Sequence, residues 1–170
     1  IGERIVEPFV ADLTSRADRE ALIARAGELE IDLLVNNAGL GQFGAVLDND
    51  PRGEVDTVEV NCVAAVELAV NLLPAMLERA TYRDTRAGLI NVSSTFAVQP
   101  VPYFATYSAS KAFLLSWTEA IAQELCRQPI DVLALCAGST RTEFGARAGF
   151  DRRLPFQADP ADVASEGLNA

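Results

Sequence analysis

Apolar positions along the chain fall into two kinds of run that alternate. Short dense stretches recur at Arg4–Val10 (RIVEPFV), Ile31–Val35 (IDLLV), Gly88–Val92 (GLINV) and Asp131–Cys136 (DVLALC), and runs of this length predict strands. The segments between them carry a helical period. Thr14 or Ser15 can cap a first helix that turns Ala21, Leu22 and Ala26 inward. Val55–Leu77 predicts a long helix, apolar almost all round through Val58, Val63, Val66, Leu68, Val70 and Leu72, and so covered on two sides. Thr106 opens a second long helix, running to Gln128, with Ala109, Phe113, Trp117 and Ile121 at helical spacing. Ala148–Ala158 has no clear period, and Asp159-Pro160-Ala161 starts a last helix. Strand and helix in alternation predict an α/β domain with a parallel sheet and right-handed crossovers.

Sites in such sheets lie beyond the carboxyl ends of the strands. Asp12, the NNAG stretch Asn36–Gly39, Ser93/Ser94 and AGSTRT at Ala137–Thr142 each follow a predicted strand directly. The chemistry available there is restricted, because the 170 residues include no histidine. Proton transfer must then use carboxylate, cysteine, lysine or tyrosine. Tyr107-Ser108-Ala109-Ser110-Lys111 offers a pair at i and i+4, neighbours on one helix face. An ammonium beside a phenol favours phenolate, so the pair predicts a Tyr107 pKa lowered towards neutrality. Ser94 can hold the same substrate oxygen. Taken singly, a Tyr-x-x-x-Lys spacing is common in helices and NNAG is an ordinary turn.

Composition narrows the field without deciding it. At 49% hydrophobic and 22% charged, the chain reads as one globular domain. A net charge of −10 argues against nucleic acid or an anionic membrane as partner. Three cysteines, Cys62, Cys126 and Cys136, read as buried reduced thiols in a cytoplasmic protein, and they are too few for a metal site. Charge or proline interrupts the apolar stretches, so no membrane span is expected.

The motif set resembles the short-chain dehydrogenase/reductase family, over nearly the whole chain. It consists of NNAG at Asn36–Gly39, Asn61 in the long helix, NVSS at Asn91–Ser94, YSASK at Tyr107–Lys111 and AGSTRTEF at Ala137–Phe144. The resemblance implies a Rossmann-like doubly wound sheet and an NAD(P)-dependent oxidoreductase that moves a hydride between nicotinamide and a carbonyl or secondary alcohol. It implies Ser94, thirteen residues before the tyrosine, with Tyr107, Lys111 and Asn61 as catalytic residues. Asn61 would hold a relay water, and Lys111 would also bind the nicotinamide ribose. Asp12, Leu13, Asn36, Ala38, Gly39, Gly138, Thr140 and Thr142 match cofactor-binding positions, with Asp12 at adenine and Thr142 at the carboxamide. Phe96, Phe104 and Phe144 are weak substrate candidates, and Gly145–Phe156 matches the segment that covers substrate. Homologous helices imply a homodimer or homotetramer through 55–77 and 106–128.

Two departures stand out. Ala137-Gly138 replaces the family's proline-glycine, which leaves the turn possible. More seriously, the family's TGxxxGxG phosphate loop has no counterpart in the sequence. The chain is therefore expected to be a partial domain over residues 1–170, truncated at both ends, and its choice between NAD and NADP is unreadable. A non-catalytic fragment or assembly module unable to bind cofactor is the principal rival. Ser108–Lys111 also fits S-x-x-K, the nucleophile motif of penicillin-recognising enzymes, but neither S-D-N nor K-T-G follows it. Asn91-Val92-Ser93 matches a glycosylation acceptor that a buried strand would silence, and Glu78–Arg86 reads as a solvated loop.

Overall fold

A computed structural model describes residues 6–150 and 157–170. The described strands are β1 (Leu33–Asn36), β2 (Ala87–Ser94) and β3 (Ile130–Ala137), parallel and in the order β1-β2-β3. Leu33 pairs with Gly88, and Ala87 with Ile130. Helix α1 (Arg16–Glu28) precedes β1, and its N-cap is Ser15, whose hydroxyl accepts from Asp18 N. The β1–β2 crossover is one continuous helical stretch, Pro51–Arg83. It comprises α2 (Pro51–Val58), a π-helical segment (Glu59–Ala64) and α3 (Ala65–Arg83). The β2–β3 crossover is α4 (Ala105–Glu124), and α5 (Phe144–Arg147) and α6 (Pro160–Asn169) follow β3. Asp159 caps α6 and Pro160 occupies its first turn, where a missing N–H costs nothing.

One core joins these elements. Leu68, Leu72 and Met76 of α3 pack with Leu89 of β2 and Ile130 of β3, flanked by Leu22, Ile23 and Ala26 of α1 and Trp117 and Ile121 of α4. Met76 and Leu89 are wholly buried. A buried Arg19 ties α1 to the crossover by ion pairs to Glu67 at 2.5 Å and Glu59 at 3.4 Å. On the opposite face, Gly167 of α6 lies against Leu135, so helices flank both sides of the sheet as in a doubly wound fold.

Several expectations need correction. The strand at Arg4–Val10 is not there in residues 6–10, which are coil with Val6 and Val10 exposed; residues 1–5 lie outside the described part. No neighbouring strand among the described residues takes its backbone bonds. Glu78–Arg83 continues α3 rather than forming a loop, and Asp84 ends the helix with a left-handed φ of 53°. Ala21 faces solvent and Ile23 takes the inward place. Cys62 is buried, but Cys126 and Cys136 are exposed, because one follows α4 and the other lies at the carboxyl end of β3. The Pro51–Arg83 stretch is long and apolar enough to cross a membrane, against expectation. Half of its most apolar window is buried in this fold, where it supplies the core's largest share.

Candidate active site

The carboxyl ends of β1 and β2 and the first turns of α4 converge on one spot. Ser94 ends β2 and caps the short helical turn Thr95–Val98, accepting from Phe96 N at 3.1 Å. That bond takes an acceptor position, and the hydroxyl also hydrogen-bonds Tyr107. Lys111, 4% exposed, reaches along β2 and donates from Nζ to Val92 O at 2.8 Å. The Ser93 hydroxyl donates to Lys111 O at 2.8 Å, so β2 grips this lysine at both ends. An ammonium has three donors, and Val92 takes one, which leaves two for a ligand.

Asn61 sits in the π-helical segment, a local widening of the helix frequently found at functional sites. Its Oδ1 accepts from Leu40 N at 2.8 Å, while Nδ2 donates to Leu40 O at 2.9 Å and to Ser110 Oγ at 2.8 Å. The loop after β1 is thereby held against α4. A Cβ on Gly39 would lie 3.4 Å from both Asn61 Oδ1 and Lys111 Nζ. A Cβ on Gly41 would come within 3.0 Å of the Tyr107 ring and 3.1 Å of Phe104. Both positions bring bare backbone onto the site.

Tyr107 is enclosed by aromatic rings. Phe104 stacks on it with centroids 4.5 Å apart, and Phe144 of α5 tilts over it at 5.0 Å. Phe96 meets Phe104 edge-on at 6.2 Å. This enclosure reverses one sequence-based expectation. Burial raises the Tyr107 pKa above its ordinary value, and hydrogen bonding to Ser94 pulls back only partly. Burial likewise lowers Lys111 to about 8. The ammonium lies 5.8 Å from the ring centroid and is itself desolvated, so it does not bring the phenol towards neutrality.

The remaining predicted positions are scattered. Asp12 holds Thr14 N at 2.9 Å and Thr14 Oγ1 at 2.8 Å in the turn before α1, and these bonds lower its pKa. Asn36 turns its amide into the core, donating to Asn91 Oδ1 at 2.9 Å and Ala65 O at 3.1 Å. Asn91 is fully buried and donates to Thr118 Oγ1, so its glycosylation motif is inaccessible. Thr140 donates to Gly138 O and bridges to Ala158, and Thr142 Oγ1 accepts from Phe144 N at 3.3 Å. Of the covering segment Gly145–Phe156, residues 151–156 lie outside the described part. Ser108 is buried with its hydroxyl donated to Ala105 O, which disposes of the Ser–Lys nucleophile. Ser110, read from the sequence only as a small residue, and Leu40 were missed, because hydrogen bonds between segments leave no periodic signal.

The comparisons decide the family. The short chain dehydrogenase family profile matches residues 2–152. The chain belongs to that family. It is 34% identical over 140 residues to a ketoacyl reductase, HetN, of Nostoc sp., covering 81% of this chain and 46% of the relative. A second relative, a putative ketoacyl reductase of Streptomyces coelicolor, is 37% identical over 139 residues, 79% of this chain and 51% of its own length. The chain thus spans about half the length of these curated relatives. Among solved structures, a short-chain dehydrogenase from Sphingobium yanoikuyae in complex with NADPH superposes with a TM-score of 0.84 at 30% identity, over 94% of this chain and 61% of that one. A 3-ketoacyl-(acyl-carrier-protein) reductase from Brucella melitensis complexed with NADH gives 0.79 at 29%, over 93% and 67%. Within this family the Rossmann-like parallel sheet is the expected fold, and three of its strands lie in the described residues.

Proposed function

We propose that the protein is an NAD(P)-dependent oxidoreductase acting on a carbonyl or secondary alcohol, with Ser94, Tyr107, Lys111 and Asn61 as its catalytic residues. One observation carries this reading. Ser94 and Lys111 are held at the carboxyl end of β2, Tyr107 hydrogen-bonds Ser94, Asn61 is tied to Ser110 beside Lys111, and two Lys111 donors stay uncommitted. A dinucleotide supplies or accepts the hydride when bound. Lys111 offers its two remaining donors to ribose hydroxyls, and the bare backbone at Gly39 leaves room for them.

Burial keeps Tyr107 protonated at neutral pH, so it serves as a general acid that donates to a carbonyl oxygen. Ser94 donates to the same oxygen and fixes its position. Asn61 completes the path by which the tyrosine regains its proton. Phe96, Phe104 and Phe144 make the surroundings apolar, and Asp12, Leu13, Asn36, Ala38, Gly39, Gly138, Thr140 and Thr142 remain the cofactor candidates. Since the relatives' names include ketoacyl reductases, acetoacetyl-CoA is the first carbonyl to try.

Titration of the protein with NADPH and NADH, followed by cofactor fluorescence, tests the reading. Saturable binding of one or both, then oxidation on adding acetoacetyl-CoA or another ketone, is the expected result. A folded protein that binds neither is instead the assembly module. For assembly, the occupant of the apolar groove along 55–77 and 106–128 is a second copy of the chain. Val58, Val63, Val70 and Phe113 stand exposed there around the small Ala109. Phe113→Glu is expected to halve the molar mass seen by light scattering; an unchanged mass contradicts this interface. The cytoplasm is the proposed location.

A further inference from the structure

Ser110 occupies a junction that the motif set does not explain. It is 3% exposed, one residue before Lys111 and one turn after Tyr107. Its hydroxyl donates its single proton to Tyr107 O at 2.7 Å, so towards Asn61 it can only accept. Asn61 Nδ2 fills that acceptor position at 2.8 Å, and its second hydrogen goes to Leu40 O. With Oδ1 taken by Leu40 N, no hydrogen of the Asn61 amide is left over, and its orientation is fixed from two sides.

We propose that Ser110 is a positioning residue: acting through Asn61, it sets how closely the loop at Gly39–Gly41 lies over Lys111 and Tyr107. The contacts leave little slack, since a single methyl at Gly39 or Gly41 would already touch Lys111, Asn61 or Tyr107. Removal of the Ser110 hydroxyl strands one buried Asn61 N–H, and the amide must turn or shift to recover a partner. The loop bound to that amide moves with it. Misplacement by a fraction of an ångström slows chemistry more than it weakens binding.

The inference rests on the reductase reading, and the test separates the two. Turnover in the full protein is followed by NADPH oxidation with acetoacetyl-CoA, ethyl acetoacetate or acetophenone, using one that the wild type reduces. Ser110→Ala is expected to lower kcat on the order of tenfold while the carbonyl KM stays within about twofold. Asn61→Ala is expected to lower kcat on the order of a hundredfold, and the double variant to fall no further than Asn61→Ala alone. Ser108→Ala, which removes an equally buried hydroxyl bonded only within α4, keeps the wild-type kcat. A wild-type kcat in Ser110→Ala, losses that multiply in the double variant, or an equal loss in Ser108→Ala each overturn the positioning role. A wild type that neither binds NADPH nor reduces any of the three carbonyls overturns the reductase reading beneath it.

Discussion

The two faces of the sheet are built differently. On one, Leu34, Leu89 and Val132 meet α1, α3 and α4, and the core there also encloses a polar chain from Asn36 through Asn91 to Thr118. On the other, Leu33 and Val35 of β1 are 44% and 45% exposed, and Gly167 of α6 lies against Leu135 of β3. The polar chain is informative. Three buried amide or hydroxyl groups satisfy one another across β1, β2 and α4, so sheet and helix lock in a single register. Ser93 adds a further bond from the same face of β2 to Lys111 O. The covered face therefore fixes the backbone of Lys111, while Ser94 follows Ile90 and Val92 in alternation on the other side of β2.

Substitutions on the two faces break or sharpen this contrast. Met76→Ala, in the covered core, is expected to cost about 2–5 kcal/mol in urea unfolding of the 170-residue chain. A loss below about 1 kcal/mol means that α3 is not packed as described. Lys111 gives a pH signature of similar size. Its folded pKa of about 8 lies below the unfolded value of 10.5, so the unfolded chain binds the extra proton between them. Stability then rises with pH across that window and is lost again as pH falls through 8. Between pH 8 and 10.5, wild type should gain on the order of 3 kcal/mol relative to Lys111→Met. A difference that is flat with pH shows that the ammonium is not buried.

Smaller effects follow further from the core's centre. Asn91→Ala strands the Asn36 amide and should cost about 1–3 kcal/mol, measurable in the same unfolding series. Val35→Thr, on the open face, should change stability by less than about 0.5 kcal/mol. A large loss at Val35 would mean that other chain covers this face, and the contrast between faces would disappear.

Most of the fold was legible because its signals are local. The apolar runs at Ile31–Val35, Gly88–Val92 and Asp131–Cys136 are strands, within a residue or two at each end. Arg4–Val10 carries the same composition, yet residues 6–10 are coil, since a strand exists only where a neighbour takes its bonds. As a set of motifs the candidate site was legible: Ser94 hydrogen-bonds Tyr107, and Lys111 Nζ and Asn61 Oδ1 both flank Gly39. Two of its properties could not be read that way. The enclosure of Tyr107 is completed by Phe144, which a later segment supplies, and it reverses the pKa expected from the Tyr-Lys spacing alone. Ser110 gains its place from Asn61, 49 residues earlier, which no spacing rule connects.

The central claim is that Tyr107 is the proton donor of the candidate site. Single-turnover NADPH oxidation by the full protein, wild type against Tyr107→Phe, with a ketone that the wild type reduces, tests it most directly. The account predicts a loss on the order of a thousandfold in the variant, with NADPH affinity and unfolding midpoint nearly unchanged. A variant rate within about twofold of wild type would contradict it.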